Sequence, residues 1–268
     1  MEPLTLYNHP VSSYAQKIRI ALREKNIPFN AIIPNAIKTG TAEVAFQTAN
    51  PRLEVPTLVD GDVEIFDSTI ILEYLEDKYP EPALLPPRSQ AGARAKARMI
   101  EDVCDTQYEA INWGWGEVLW MGRAEGALRE KLKGEAEQQT RVLQAWLEGK
   151  LGEEEYFGGK HGFGWADICV APIVNRSAYF GWGPVEGSKL GKWLERVRGR
   201  GSVRETFQEF SEAVGNMSGM AEAYRKGERK REYRDHRLEF MIKSGGIEVV
   251  RQGLEKANIR FLWPDVKM

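Results

Sequence analysis

Cysteine is almost missing from this chain of 268 residues: Cys104 and Cys169 are the only two, and they form no Cys-x-x-Cys pair. That excludes a disulfide framework as the source of stability and makes a reducing, cytoplasmic setting the expectation. Histidine is scarce as well. His9, His161 and His236 stand far apart, with no His-Glu-x-x-His and no Cys/His cluster, so no metal site is expected. Net charge is −2, which gives no global pull toward nucleic acid or an anionic membrane, and neither is expected as a partner. No run of about 18 apolar residues occurs, and Met1 to Thr5 lack the basic and apolar pattern of a secretory leader. The phosphate-binding Gly-rich loops and the Gly-x-Ser-x-Gly elbow are also lacking.

What is present is an ordinary globular composition. A hydrophobic fraction of 42% over this length is enough for a core that needs no staples. Leu4 to Tyr7 alternate like a short strand, and Asn8-His9-Pro10 breaks it. Ser12 and Ser13 are good helix caps, after which Tyr14, Ile18, Ala21 and Leu22 recur at helical spacing up to Asn26-Ile27-Pro28. Phe29 to Ile33 reads as a second strand, for which parallel pairing through a right-handed crossover is expected. Pro56 to Val59 and Val63 to Phe66 flank Asp60-Gly61, a hairpin signal. Asp67-Ser68 then caps a helix carrying Ile71, Tyr74 and Leu75. The proline-dense stretch from Pro80 to Pro87 is the best boundary in the chain. Helical patterns follow over 90–121, 124–150, 165–180, 188–200 and 203–214. The expected architecture is therefore α/β plus all-α: residues 1–80 as a βαβ-ββα domain, 81–89 as linker, and 90–268 as a helical domain with an extension over 215–268. Residues 221–237, including Arg229-Lys230-Arg231, read as a solvated mixed-charge helix face.

Three places carry chemistry. Ser12 stands where a loop enters the first helix. That end presents free N–H groups and the positive end of the macrodipole, and a hydroxyl there either caps the helix or donates to a bound anion such as a thiolate. Val55-Pro56 begins a strand after a loop; a cis bond there would turn the Val55 backbone outward toward an extended peptide. Asp67 and Ser68 either cap their helix or hold a zwitterionic amino-acid group, the helix end drawing its carboxylate and Asp67 its ammonium.

The order and spacing of these pieces resemble the glutathione transferase superfamily. The matching runs are Leu6-Tyr7, Ser12-Ser13 with Ile18 to Leu22, Asn50-Pro51 with Val55 to Leu58, and Phe66 to Leu75. Trp165-Ala166-Asp167-Ile168 with Ala171-Pro172 looks like the family's helix-six motif. The resemblance covers roughly residues 4–212. It implies a thioredoxin-like glutathione domain, an all-helical second domain, a homodimer, glutathione as cofactor or co-substrate, and a hydrophobic electrophilic small molecule as partner. Ser12 falls at the catalytic serine of the serine-type classes, in a zeta-like setting, with Tyr7 and Ser13 as rivals for the donor role. Val55 and Pro56 would meet the cysteinyl backbone, and Asp67 and Ser68 the γ-glutamyl end. Lys38 and Arg52 would serve the glycyl carboxylate.

Three departures stand out. Tyr14 replaces the cysteine that follows the two serines in the zeta-like pattern, which argues against disulfide exchange. Glu54 reverses the usual Lys or Gln charge, and Gly164 replaces the usual Ser or Thr cap of the helix-six motif while Asp167 is kept. For the second substrate, His9, Tyr108, Trp113 and Trp115 are the pocket candidates. The aromatic cluster, to which Trp120 also belongs, reads equally as pocket or as core. The extension either walls the pocket or covers the helical domain. Conjugation is the leading expectation; glutathione-dependent cis-trans isomerisation of a conjugated enone, ether cleavage and a non-catalytic role are the alternatives.

Overall fold

The computed structural model describes residues 3–34, 43–215, 217, 219–226 and 236–256. Strand β1 (Leu4–Tyr7), helix α1 (Ser13–Glu24) and strand β2 (Phe29–Ile32) form the expected unit, with β1 and β2 parallel. A short helix α2 (Val44–Ala49) precedes the hairpin of β3 (Thr57–Asp60) and β4 (Val63–Phe66). Asp60 pairs with Val63, so the turn is Gly61-Asp62, one residue later than Asp60-Gly61, and Gly61 takes the positive φ of +65°. The sheet order is β2-β1-β3-β4, and helix α3 (Ser68–Lys78) follows.

Side-chain alternation sorts the two faces of this sheet. Leu4 and Leu6 join Ile18, Ala21 and Leu22 of α1 and Ile71, Leu72 and Leu75 of α3 in the main core. Tyr7 points the other way, its ring 5.0 Å from that of the fully buried Phe46 on α2. Burying each large aliphatic of α1 contributes about 1.5–3 kcal/mol, which is what holds a helix of modest intrinsic propensity in place.

The rest of the chain is helical. Helices α4 (Ala91–Val103) and α5 (Glu109–Met121) are joined by a π-helical turn, Cys104–Tyr108, within a stretch whose periodicity predicts one uninterrupted helix. The wider turn slows the angular drift of side chains, so Glu101, Asp105 and Glu109 all meet cations on the elements packed against this helix. Next come α6 (Gly126–Leu151), α7 (Trp165–Tyr179), α8 (Lys189–Arg198), α9 (Gly201–Gly215), α10 (Met220–Arg225), α11 (His236–Lys243) and α12 (Ile247–Glu255). The main core runs without a break from Leu4 in β1 to Val203 in α9, so sheet and helical layers share it.

Polar contacts lock α1 onto the helices. Lys17 is fully buried and pairs with Glu101 at 2.7 Å and with Asp105. Burial alone would lower its pKa, but the two carboxylates raise it overall. Tyr14 donates to the Asp105 carbonyl at 2.7 Å. Arg23 pairs with Glu205 and Glu209, and Glu24 with Arg200 at 2.6 Å. The proline-dense connector is tied down too: Leu84 and Leu85 are buried, their N–H groups donate to Glu76, and Lys25 donates to the Tyr79 and Pro82 carbonyls.

The start of α7 explains Gly164. A Cβ there would lie 2.5 Å from the Leu84 carbonyl oxygen, and that same oxygen accepts from Trp165 N at 2.7 Å. The connector's backbone thus does the job of the missing cap side chain. Asp167 accepts from Gly164 N, from Phe157 N and from the Trp193 indole at 2.7 Å. Burial pushes its carboxyl up to about 6 against the pull of these donors.

Candidate active site

The strand register brings the three sequence-identified places to one end of the sheet. Tyr7 pairs with Thr57, and Thr57 with Phe66. The loop to Ser12, the Val55-Pro56 step and the Asp67-Ser68 step therefore all leave the same row of the ladder.

Ser12 is the N-cap of α1, its oxygen accepting from Ala15 N at 3.3 Å. Capping uses the hydroxyl as acceptor and leaves its proton to donate elsewhere. Cap and donor are thus compatible roles, where the sequence reads them as rivals. Ser13 is buried at 2% exposure and lies close to Glu109. The Tyr7 hydroxyl lies on the α2 side of the sheet, its pKa raised by burial and then by Glu43 and Glu64.

The loop before Ser12 is held at each carbonyl from His9 to Ser12. His9 O accepts from Ser12 N, Pro10 O from the side chains of Gln16 and Arg19, Val11 O from Arg176, and Ser12 O from Gln16 N. His9 itself accepts through Nδ1 from Val11 N at 3.2 Å, which fixes the neutral ring's proton on Nε2.

The Val55–Pro56 bond is cis, and Leu53 two residues earlier takes a φ of +52°. The fully buried Asn50 organises this turn. Its amide donates to Glu54 O at 2.9 Å and to Thr57 Oγ1 at 3.0 Å, and its oxygen accepts from Arg52 N. Arg52 pairs with Glu54 at 3.0 Å and lies over the Phe66 ring. Its charge is therefore shared with Glu54, as the charge reversal at position 54 foreshadows. Lys38 lies outside the described residues.

Asp67 caps α3 with one oxygen, accepting from Thr69 N at 2.9 Å and Ile70 N at 3.2 Å. Its φ of +76° is unusual for a residue with a Cβ, and such backbone is enriched at ligand clamps. Ser68 beside it is buried.

The four pocket candidates part company. Tyr108 is fully buried and accepts from Gln144 at 3.0 Å, as a core residue does. Trp113 and Trp115 are two positions apart on a helix, which turns their side chains to nearly opposite faces. Trp113 lies toward the Ser12 loop, its ring 5.8 Å from the Arg176 guanidinium. Trp115 faces α6 and Trp182, lining a groove of about 510 Å³ together with Ile111, Val118, Leu132 and Ala136. His9 thus stands in the loop before Ser12, and Trp113 is linked to that loop through Arg176. Trp120 packs with Val11, Phe210 and Val214, and Met217 and Met220 close over this cluster from the extension. Cys104 and Cys169 are buried and free, and burial raises both thiols well above their ordinary value, which removes them as nucleophiles. Among the described residues, no helix is long and apolar enough to cross a membrane.

Sequence reasoning assigns no role to Asn50, Gln16, Glu109 or Arg176. Asn50 stands in a quoted run and could have been found as a polar residue next to a turn. Arg176, deep in an apolar helix, has a signal only in being a charge where the pattern predicts core.

Comparison with known proteins agrees with the fold. The family model "Glutathione S-transferase, N-terminal domain" matches residues 6–83. A probable glutathione S-transferase GSTU1 of Oryza sativa is 31% identical over 64% of this chain and 72% of its own length. The chain belongs to the glutathione S-transferase superfamily. Within it, glutathione S-transferase Z2 of Arabidopsis thaliana is 48% identical over 83 residues, and maleylacetoacetate isomerase of Rattus norvegicus 42% identical over 100. Those two matches span 37% and 45% of the relatives' lengths, under half of either protein. The solved rice GST1 in complex with glutathione superposes with a TM-score of 0.64 at 27% identity, over 81% of this chain and 98% of its own.

Proposed function

We propose that this chain binds glutathione along the shared sheet end and uses Ser12 to hold its thiolate for attack on an apolar electrophilic small molecule. The observation that carries the reading is the Ser12 hydroxyl itself. It is engaged as a cap acceptor, retains its proton for donation, and stands at a helix N-terminus whose field favours an anion. In the complex, the backbone of Val55 would pair with the cysteinyl unit, and Asp67 with Ser68 would take the γ-glutamyl group. Arg52 would face the glycyl carboxylate, with Lys38 as a second cation. His9 and Trp113 would border the electrophile.

In conjugation, the sulfur forms a bond to the electrophilic carbon as a leaving group departs or a proton adds to the neighbouring carbon. The partial match to maleylacetoacetate isomerase favours a second reading. There the thiolate adds to a conjugated enone, the former double bond rotates, and the thiolate leaves again. Free glutathione measured through a complete turnover decides between them: conjugation consumes one equivalent per product, and isomerisation leaves the concentration unchanged. Retention on immobilised glutathione, and its loss in the presence of free glutathione, tests the binding step common to both. The proposed enzyme is a homodimer, which light scattering on the purified protein would check.

A further inference from the structure

The helical layer meets the Ser12 loop through apolar packing of Trp120, Phe210 and Val214 on Val11 and through one buried cation. Arg176, on α7 and fully buried, donates through one terminal nitrogen to the Val11 carbonyl and through the other to Glu109 at 2.5 Å. The Val11 carbonyl belongs to the peptide that enters Ser12, so fixing it fixes the plane from which the Ser12 side chain starts. The other loop carbonyls are held from within the first domain's own chain, by Ser12, Gln16 and Arg19. Arg176 brings a side chain from α7 to this loop, and the Trp113 ring lies against the same guanidinium.

Building on the proposed role of Ser12, we propose that Arg176, held by Glu109, is a positioning residue that sets the Ser12 hydroxyl for the thiolate. Its fork is the property that matters. Two parallel tasks, one on a carboxylate and one on a backbone carbonyl, suit a planar guanidinium and exceed the single point of a lysine. Because Glu109 neutralises the charge at close range, placement of the loop outweighs long-range field in what Arg176 contributes. A buried pair of this kind is a poor source of net stability, since desolvation offsets much of the attraction. Its role in the fold is accounted for by the geometry it imposes.

The test uses full-length protein and three variants: Arg176→Lys, the pair Arg176→Met with Glu109→Gln, and Ser12→Ala as reference. The double variant removes both charges together and so leaves no buried ion unpaired. The readouts are kcat and KM for glutathione, and the thiolate absorbance of bound glutathione titrated against pH. The expected result is that Arg176→Lys and the double variant each lose about tenfold in kcat, with KM for glutathione within about twofold. The thiolate band should shift to higher pH in both, and heating curves should show both folded. A purely structural residue would lower the melting temperature and leave the titration of the folded protein where it was. Wild-type titration in the double variant overturns the proposal, as does full activity in Arg176→Lys. If Ser12→Ala also leaves the band unmoved, the donor reading itself has failed and the positioning role falls with it; a moved band in Ser12→Ala alone confines the failure to Arg176.

Discussion

Two helix N-termini, those of α1 and α3, open onto the same end of the sheet, and they are built differently. The α1 terminus is capped by a neutral hydroxyl, its entering loop is clamped at each carbonyl from His9 to Ser12, and the helical layer reaches it through Arg176 and the packing on Val11. The α3 terminus is capped by a carboxylate, stands exposed, and holds that carboxylate on backbone of positive φ. The same macrodipole points out of both. The first pairs it with a donor and immobility, which suits a charge that must be stabilised at one place. The second pairs it with a counter-charge and access, which suits a group carrying both a carboxylate and an ammonium. The proposed division of labour is therefore chemistry at α1 and binding at α3.

The strongest way to break this comparison is Ser12→Ala. Loss of a single donor aimed at a developing or stabilised anion costs on the order of 10²-fold in kcat. KM for glutathione should change by less than about threefold, since the rest of the tripeptide site is intact. Removing the cap also costs about 1 kcal/mol of stability, so rates need normalising to folded protein. Equal losses in kcat/KM carried wholly by KM would erase the distinction between the two ends.

The converse variant is Asp67→Asn. Asn still caps and still accepts positive φ, so the fold and melting temperature should hold. What disappears is the charge facing the ammonium, and KM for glutathione should rise about fivefold with kcat nearly unchanged. Asp67→Ala separates capping from charge: it should lose a further 1–2 kcal/mol or so of stability, read by denaturant titration, because alanine neither caps nor favours this backbone.

The sequence exposes the two termini to unequal degrees, for a physical reason. Asp67, Ser12, the parallel β1–β2 unit and the hairpin are written in neighbouring residues: a cap, a periodic face, a turn glycine. The clamps are not. Tyr14 meets Asp105 across 91 positions, Arg176 meets Glu109 across 67 and Val11 across 165. No local pattern encodes such partners, so the π-turn that aligns the acidic residues and the reason for Tyr14 in place of cysteine become visible only in three dimensions. Tyr108 and Trp115 show a different limit. The aromatic cluster reads equally as pocket or as core in the sequence, and helix geometry splits it by face, sending Tyr108 into the core and Trp115 toward α6. That split follows from spacing alone, whereas which face meets the site does not.

A smaller effect is expected at the glycyl end. Glu54 shares the charge of Arg52, and both are partly open to solvent. Glu54→Gln frees the guanidinium for a ligand carboxylate, so glutathione should bind about twofold tighter by calorimetry. The gain should shrink as salt is raised. Weaker binding would mean that Glu54 orders the Asn50 turn more than it masks Arg52.

The smallest expected effect falls on Tyr7→Phe, yet it tests the comparison most directly. If the donor were the strand tyrosine, the α1 terminus would be no more than a field, and its rigid loop would have no chemical purpose. The pleat supports the proposed Ser12 reading instead. Tyr7 shares its face with Thr5, opposite Leu4 and Leu6, and stacks on Phe46 of α2, away from the side covered by α1 and α3. Burial and the carboxylates of Glu43 and Glu64 raise its pKa, so it carries no charge at neutral pH that its loss could remove. Trading the hydroxyl for hydrogen keeps the ring and its contact with Phe46. Turnover and glutathione KM should each stay within about twofold of wild type. A fall in kcat near that of Ser12→Ala would move the thiolate to the end of β1 and assign Ser12 to capping alone.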